Sequence, residues 1–163
     1  MSAKAHVVTV SDGVASGTRE DVSGDLATER LTEAGYETSA SVVPDGADEV
    51  EQVLRATLAT GVQLVITSGG TGVSPRDRTP EGTVPVIDRQ VPGLAELVRA
   101  EGTRHTPFAS LSRGLVGVVD VGPDRPGALV INLPGSPKGV SEGLDVLLPL
   151  VGHILDQLSG GVH

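Results

Sequence analysis

The sequence predicts an α/β fold on a mostly parallel sheet, with one antiparallel hairpin strand. Short β-branched apolar runs alternate with segments of helical apolar spacing from the amino terminus onward, an order that calls for right-handed crossovers and parallel pairing. Two further apolar runs, 115–121 and 128–133, flank Gly-Pro-Asp-Arg-Pro-Gly at 122–127 and read as a hairpin. The 163 residues suit one α/β domain spanning 1–163, because no repeat or linker interrupts the pattern.

The first strand is 5–10, ending in Ser11-Asp12-Gly13, and a polar loop follows to Val22. Ser23 is placed to cap a helix carrying Leu26, Ala27, Leu31 and Ala34, closed by Gly35. A second strand covers 36–43. Pro44-Asp45-Gly46 then turns into a helix with Val50, Val53, Leu54, Thr57 and Leu58 on one side, ended by Gly61. The third strand, 63–67, opens into a glycine-rich loop. Thr79-Pro80-Glu81 reads as a helix start with a hydroxyl cap, proline first and an acid in the first turn. That helix is expected over 79–88, with Pro85 kinking or ending it early. Pro92-Gly93 opens another helix bearing Leu94, Leu97 and Val98, and a long amphipathic helix runs from Val140 to Leu158. Residues 159–163 read as a disordered tail.

Composition excludes several functions. Twelve basic and 21 acidic residues give a formal charge of −9, which argues against broad binding to nucleic acid or anionic membranes. One Tyr, one Phe and no Trp leave no stacking platform for single strands. Without cysteine there are no disulfides, thiolate nucleophile or Cys-based zinc site. The amino-terminal apolar run is too short and polar-flanked for a secretory signal, and Pro149, His153 and Asp156 interrupt the most apolar helix. A cytoplasmic location is expected.

The chemistry concentrates after the third strand. Ser68, Gly69, Gly70, Thr71 and Gly72 offer small side chains and open backbone N–H groups, so an oxyanion can approach the main chain. Arg76, Asp77 and Arg78 follow immediately. A strand feeding a glycine-rich loop and then a helix is a natural phosphate site, although the run matches neither a P-loop nor a dinucleotide fingerprint. The glycines could equally serve only a tight turn.

Acids stand beyond three strand ends: Asp12, Asp45 and Asp77. Parallel sheets bind ligands there, and such oxygen donors suit Mg²⁺ shared with substrate phosphates. Asp45 could instead cap a helix, and Asp12 could close an Asx-turn. A second group, Pro134, Gly135, Ser136 and Lys138, joins a strand to a helix, where Lys138 could meet a phosphate or simply point into water. Ser110, Ser112 and Arg113 form a polar turn whose arginine could fork onto an anion. None of His6, His105, His153 and His163 pairs at metal-ligand spacing, and no nucleophile elbow is present.

The segment 67–83, TSGGTGVSPRDRTPEGT, resembles the molybdenum-cofactor biosynthesis family when read with VVPD at 42–45, PGLAEL at 92–97, LSRG at 111–114 and NLPGSPK at 132–138. That family includes bacterial molybdopterin adenylyltransferases and the amino-terminal domain of gephyrin. The resemblance extends from HVVTVSDGVASG at 6–17 to the last helix. It implies a three-layer α/β/α sandwich of molybdopterin-binding-like type, commonly a homotrimer, that joins AMP from Mg-ATP to the terminal phosphate of molybdopterin and releases pyrophosphate. By motif, Asp45 and Asp77 match the acids implicated in catalysis and Mg²⁺ handling. Ser68, Gly69, Gly70, Thr71 and Gly72 match the nucleotide-phosphate loop. Ser110, Ser112, Arg113, Pro134, Gly135, Ser136 and Lys138 match segments on the pterin and phosphate side. The resemblance also admits a non-catalytic molybdopterin-binding paralogue, and it implies a downstream molybdate-inserting enzyme as partner. Pro85 and the roomy 122–127 turn depart from the family pattern without touching its motifs.

Overall fold

The central strands are apolar on both faces, as a sheet covered on both sides requires. In the computed structural model, which describes residues 2–161, every residue of β3 (Leu64–Ser68) and β6 (Ala128–Leu133) is buried. They sit within a six-stranded sheet of order β2-β1-β3-β6-β5-β4. The other strands are β1 (Lys4–Val10), β2 (Glu37–Val43), β4 (Arg89–Gln90) and β5 (Val116–Val119). β2, β1, β3 and β6 run parallel, while β5 is antiparallel to both β6 and β4.

The period-2 alternation of strands sends successive side chains to opposite layers. Leu64, Ile66, Leu129, Ile131 and Leu133 pack against α2 (Val22–Glu33), α5 (Pro92–Thr103) and α6 (Pro137–Leu158). Val65, Val130 and Ala128 pack on the other side, against Val50, Leu54 and Leu58 of α3 (Ala47–Ala59). With so few aromatics, the core rests on many branched aliphatics, each contributing about 1.5–3 kcal/mol when fully buried. Leu54, wholly enclosed, is a point where truncation to Ala should cost about 2–5 kcal/mol.

Where the structure departs from the sequence pattern, hydrogen bonding gives the reason. The cap of α2 is Asp21, whose Oδ1 accepts from Gly24 N at 3.0 Å. Ser23 is buried instead and donates to Gly135 O at 2.6 Å, tying α2 to the β6–α6 loop. The expected loop after β1 contains a one-turn helix, α1 (Asp12–Ala15), capped by Ser11. The helix α4 (Thr79–Thr83) stops two residues before the donorless Pro85. Thr79 lies inside α4 and does not cap it, because Arg78 is the cap and makes no side-chain capping bond. Pro149 sits within α6 without ending it, since Leu144, Leu147 and Val151 hold that helix to the sheet on both sides of the proline. Ser159, Gly160 and Gly161 close α6 with backbone bonds to Leu155, Asp156 and Gln157 rather than hanging free. The remaining two residues of the expected tail, 162 and 163, lie outside the described residues. Among the described residues no helix is long and apolar enough to cross a membrane.

Candidate active site

The chain crosses from β1 to β2 on one side and returns to place β3 on the other side of β1. Such a switch point leaves a crevice beyond the strand ends. Its floor is a tightly bonded loop. Gly69 and Gly70 both take positive φ, 105° and 67°, a region that side chains resist. Gly69 N donates to Leu133 O at 3.0 Å, and Thr79 N to Gly70 O at 3.0 Å. The Thr79 hydroxyl, fully buried, donates to Gly69 O at 2.8 Å. The two glycines are thus demanded by the turn itself, whatever else the loop does.

Beneath the loop lies a polar chain that sequence spacing does not reveal. Asn132 Nδ2 donates to Thr67 Oγ1 at 2.9 Å and to Thr83 Oγ1 at 3.1 Å. Thr83 in turn donates to Thr79 O at 2.8 Å. All four side chains are buried, so each bond lost would strand a polar group out of water. This network fixes where the glycine loop sits relative to β3, β6 and α4.

Three carboxylates converge at the crevice. Asp12 N donates to Asp45 Oδ2, and Asp45 N to Asp12 Oδ1, both at 3.1 Å. Arg76 forks onto Asp12, with Nε to Oδ2 at 2.6 Å and Nη2 to Oδ1 at 2.9 Å, and also reaches Asp45 O at 3.0 Å. That guanidinium holds the Asp12 carboxyl below its usual range. Asp45 moves the other way: partial burial and the nearby charges of Asp12 and Asp77 push it up. Asp45 does not cap α3, because Gly46 occupies that position without a side-chain bond. Asp77 Oδ2 accepts from Ser74 N at 3.0 Å and closes the loop on itself.

Arg113 has a different place from the anion fork expected of it. Its Nη1 and Nη2 hold the Glu81 carboxylate at 2.7 and 3.2 Å, its Nε donates to Gly72 O at 2.8 Å, and its Nη2 also donates to Asp77 O at 2.8 Å. The arginine clamps the ends of the Gly72–Asp77 segment to α4. Glu81 is accordingly drawn below the usual glutamate range by the Arg113 hydrogen bond. Ser110 turns back to Pro107 O at 2.7 Å within the 3-10 helix Pro107–Leu111, and lines neither crevice.

Two adjoining cavities flank the loop. A polar one of about 450 Å³ is lined by Asp45, Asp77, Ser68, Gly69, Gly70 and Gly135 among others. An apolar one of about 300 Å³ is lined by Thr71, Gly72, Ser112, Pro134 and Lys138 together with Val98, Phe108 and Leu111. Ser136 lines both. It also caps α6, accepting from Gly139 N at 3.0 Å, so the first turn of that helix opens between the cavities. Most motif residues that sequence grouped together are therefore gathered here, and they divide into two compartments. Arg19 in the polar cavity, and Arg99, His105 and Glu142 in the apolar one, escaped sequence reasoning because nothing in their spacing marks them. Among the described residues no three His, Cys, Asp or Glu side chains form a metal cage.

Comparison with known proteins narrows the chemistry. Residues 6–153 match the family described as probable molybdopterin binding domain. A molybdenum cofactor biosynthesis bifunctional protein of Synechococcus elongatus is 39% identical over 98% of this chain, which spans 48% of that protein. A molybdopterin adenylyltransferase of Pyrococcus furiosus is 37% identical over 93% of this chain and 89% of its own length. The chain thus spans about half the length of the bifunctional relatives it matches. The solved structure of the molybdopterin biosynthesis Mog protein from Mycobacterium ulcerans superposes with a TM-score of 0.87 at 42% identity, covering 96% of this chain and 99% of the other.

Proposed function

Because this chain belongs to the molybdopterin-binding domain family, we propose that it is a nucleotidyltransferase that joins AMP from Mg-ATP to the terminal phosphate of molybdopterin. The observation that carries this reading is the pair of adjoining cavities sharing Ser136. A two-substrate transfer needs both polyanions held in line, and such positioning supplies much of the rate. The nucleotide phosphates would lie over Ser68, Gly69 and Gly70 and reach toward Thr71 and Gly72, which border the apolar cavity that the pterin would enter beside Ser112, Pro134 and Lys138. There the terminal phosphate oxygen attacks the α-phosphorus of ATP, and the bond to the bridging oxygen breaks to release pyrophosphate.

Asp45 and Asp77 supply hard oxygen donors at the polar cavity, the donor set that Mg²⁺ accepts alongside substrate phosphates. Partial burial, with the Asp12 and Asp77 charges, raises the affinity of Asp45 for its proton. Mg²⁺ bound with the nucleotide would neutralise phosphate charge. Arg76 and Arg113 orient the acids and the loop. Arg19 and Lys138 have no ion pair among the described residues and remain to attract substrate. No side-chain nucleophile is required.

A homotrimer working in the cytoplasm and passing its product to a molybdate-inserting enzyme completes the proposal. The test is incubation of purified protein with molybdopterin and Mg-ATP, with adenylylated pterin and pyrophosphate as the expected products. Binding of both substrates without either product would make the chain a non-catalytic pterin-binding paralogue.

A further inference from the structure

We propose that Glu142 is the residue that selects the pterin, by accepting the paired N–H donors of a 2-amino-4-oxopyrimidine edge inside the apolar cavity. The inference rests on the cavity assignment made above and goes beyond it to a residue outside every sequence motif.

Glu142 lies on α6, one helical turn beyond Lys138, and both line the apolar cavity. Its side chain is 14% exposed. Oε1 is sealed from solvent and has no hydrogen-bond partner, the one such side-chain atom among the described residues. A buried carboxylate without donors is costly to keep. No cationic group lining this cavity reaches Oε1 with a hydrogen bond, and Lys138, one turn away, makes no ion pair with it. His105 Nε2 is 3.8 Å away and closer to Glu101, at 3.4 Å. Arg99 Nη1 spends itself on the carbonyls of Ser112 and Gly114, at 3.2 and 2.8 Å. The protein therefore holds a carboxylate in the wall of an apolar cleft, with Oε1 lacking a hydrogen bond and only the long His105 approach beside it.

The ligand that satisfies it must be flat and largely apolar, and must present N–H donors to a carboxylate. A fused 2-amino-4-oxopyrimidine does this with its ring N–H and exocyclic amine, two parallel donors that both carboxylate oxygens accept once the side chain rotates its sealed Oε1 toward the cavity. Adenine presents a ring acceptor beside its amine and would set a lone pair against the carboxylate, so ATP is turned away from this cavity. Guanine shares the donor edge, and the test separates it from pterin.

The experiment is fluorescence titration of the full chain with 6-hydroxymethylpterin, its 2-oxo analogue carrying the same substituent, and GMP, repeated on Glu142→Gln. The wild-type protein should bind the pterin about tenfold or more tightly than the 2-oxo analogue, the scale of a hydrogen bond to a charged group. Glu142→Gln should lose that preference, a ratio that does not depend on the fraction of folded protein. Equal binding of the two pteridines by wild type, an unchanged ratio in Glu142→Gln, or no saturable pterin binding would each overturn the assignment. So would GMP binding that depends on Glu142 while pterin does not. Failure of the adenylyl-transfer reading is separable: Glu142-dependent pterin selectivity without pyrophosphate release keeps this inference and removes that one. Normal turnover with an unchanged KM for molybdopterin in Glu142→Gln does the reverse.

Discussion

Asp12 and Asp45 grip each other's backbone, each carboxylate accepting the other's N–H at 3.1 Å. The two residues are 33 apart in sequence and end neighbouring strands, β1 and β2, which run in register from Lys4↔Glu37 to Val10↔Val43. The exchange fixes the depth of two acids at the crevice edge, and Arg76 neutralises only the first of them directly. Asp45 is left as the carboxylate with a raised proton affinity, facing the polar cavity.

Replacing Asp45 or Asp77 with Asn should lower turnover by about 10² or more, the scale seen when a positioned electrostatic group is removed. Pterin affinity should hold, since the apolar cavity is lined by neither residue. Single-turnover kinetics with molybdopterin and Mg-ATP decide the matter, and near-normal rates in either variant would place the charge chemistry elsewhere.

Asp45 also carries a stability signature. Because its folded proton affinity is raised, its contribution to stability is whole below the ordinary aspartate range. That contribution is lost as pH climbs through the raised value. Asp45→Asn removes the loss, so at neutral pH the ligand-free variant should melt at or slightly above the wild-type temperature, with the difference shrinking in acid. Saturating Mg-ATP should stabilise the wild type more than the variant. Scanning calorimetry at two pH values measures both effects; a variant that melts clearly lower at neutral pH contradicts the account.

The glycines separate folding from binding. A Cβ at Gly70 would strike the buried Thr79 hydroxyl and force a side chain into positive φ, so Gly70→Ala should be destabilised by about 1–3 kcal/mol. Gly72 has no such backbone demand, and its Cβ would press on Asp77 Oδ2 at 2.8 Å. Gly72→Ala should therefore keep its melting temperature yet lose turnover through a displaced Asp77. Urea titration paired with activity assays distinguishes the two, and the reverse pattern would refute this division.

The Arg113 clamp predicts an acid sensitivity. Glu81 is held ionised below its ordinary range by Arg113, so its contribution is present above that range and lost as pH falls through the lowered folded value. Arg113→Lys cannot reproduce a fork that also reaches two carbonyls. We expect the variant to lose stability at neutral pH, to show a flatter acid-unfolding profile than wild type, and to bind nucleotide more weakly. Identical acid profiles for Arg113→Lys and wild type would show that the clamp carries no weight.

Assembly is the last expectation. Light scattering at micromolar concentration should report a trimer, with ligand binding unaffected by dilution because the motif residues lie beyond strand ends of one sheet. The hairpin edge is not open to a partner strand, since β4 pairs with β5 along it; the outer side of β2 ends the sheet at the opposite edge. A monomer at every concentration would end this proposal.

The sequence alone determined the layered parallel architecture, because alternating β-branched runs and helical spacings follow from local periodicity. It also marked most of the motif residues that the fold gathers around the two cavities, since glycine loops and acids beyond strand ends are local features. It could not show that Arg76 and Arg113 turn inward onto Asp12 and Glu81, because a fork's partner depends on which surfaces meet. Nor did it reveal Asn132 under the loop, Thr79 buried where a cap was expected, or the two-residue strand β4, all of which owe their roles to long-range hydrogen bonds. Only the tertiary structure divided the motif residues between a polar and an apolar cavity. It did so by packing α5 against α6 and the 3-10 helix against α5, beside the cavity wall where Glu142 Oε1 lacks a hydrogen bond. Burial and pairing of this kind arise from segments distant in sequence, where spacing carries no signal.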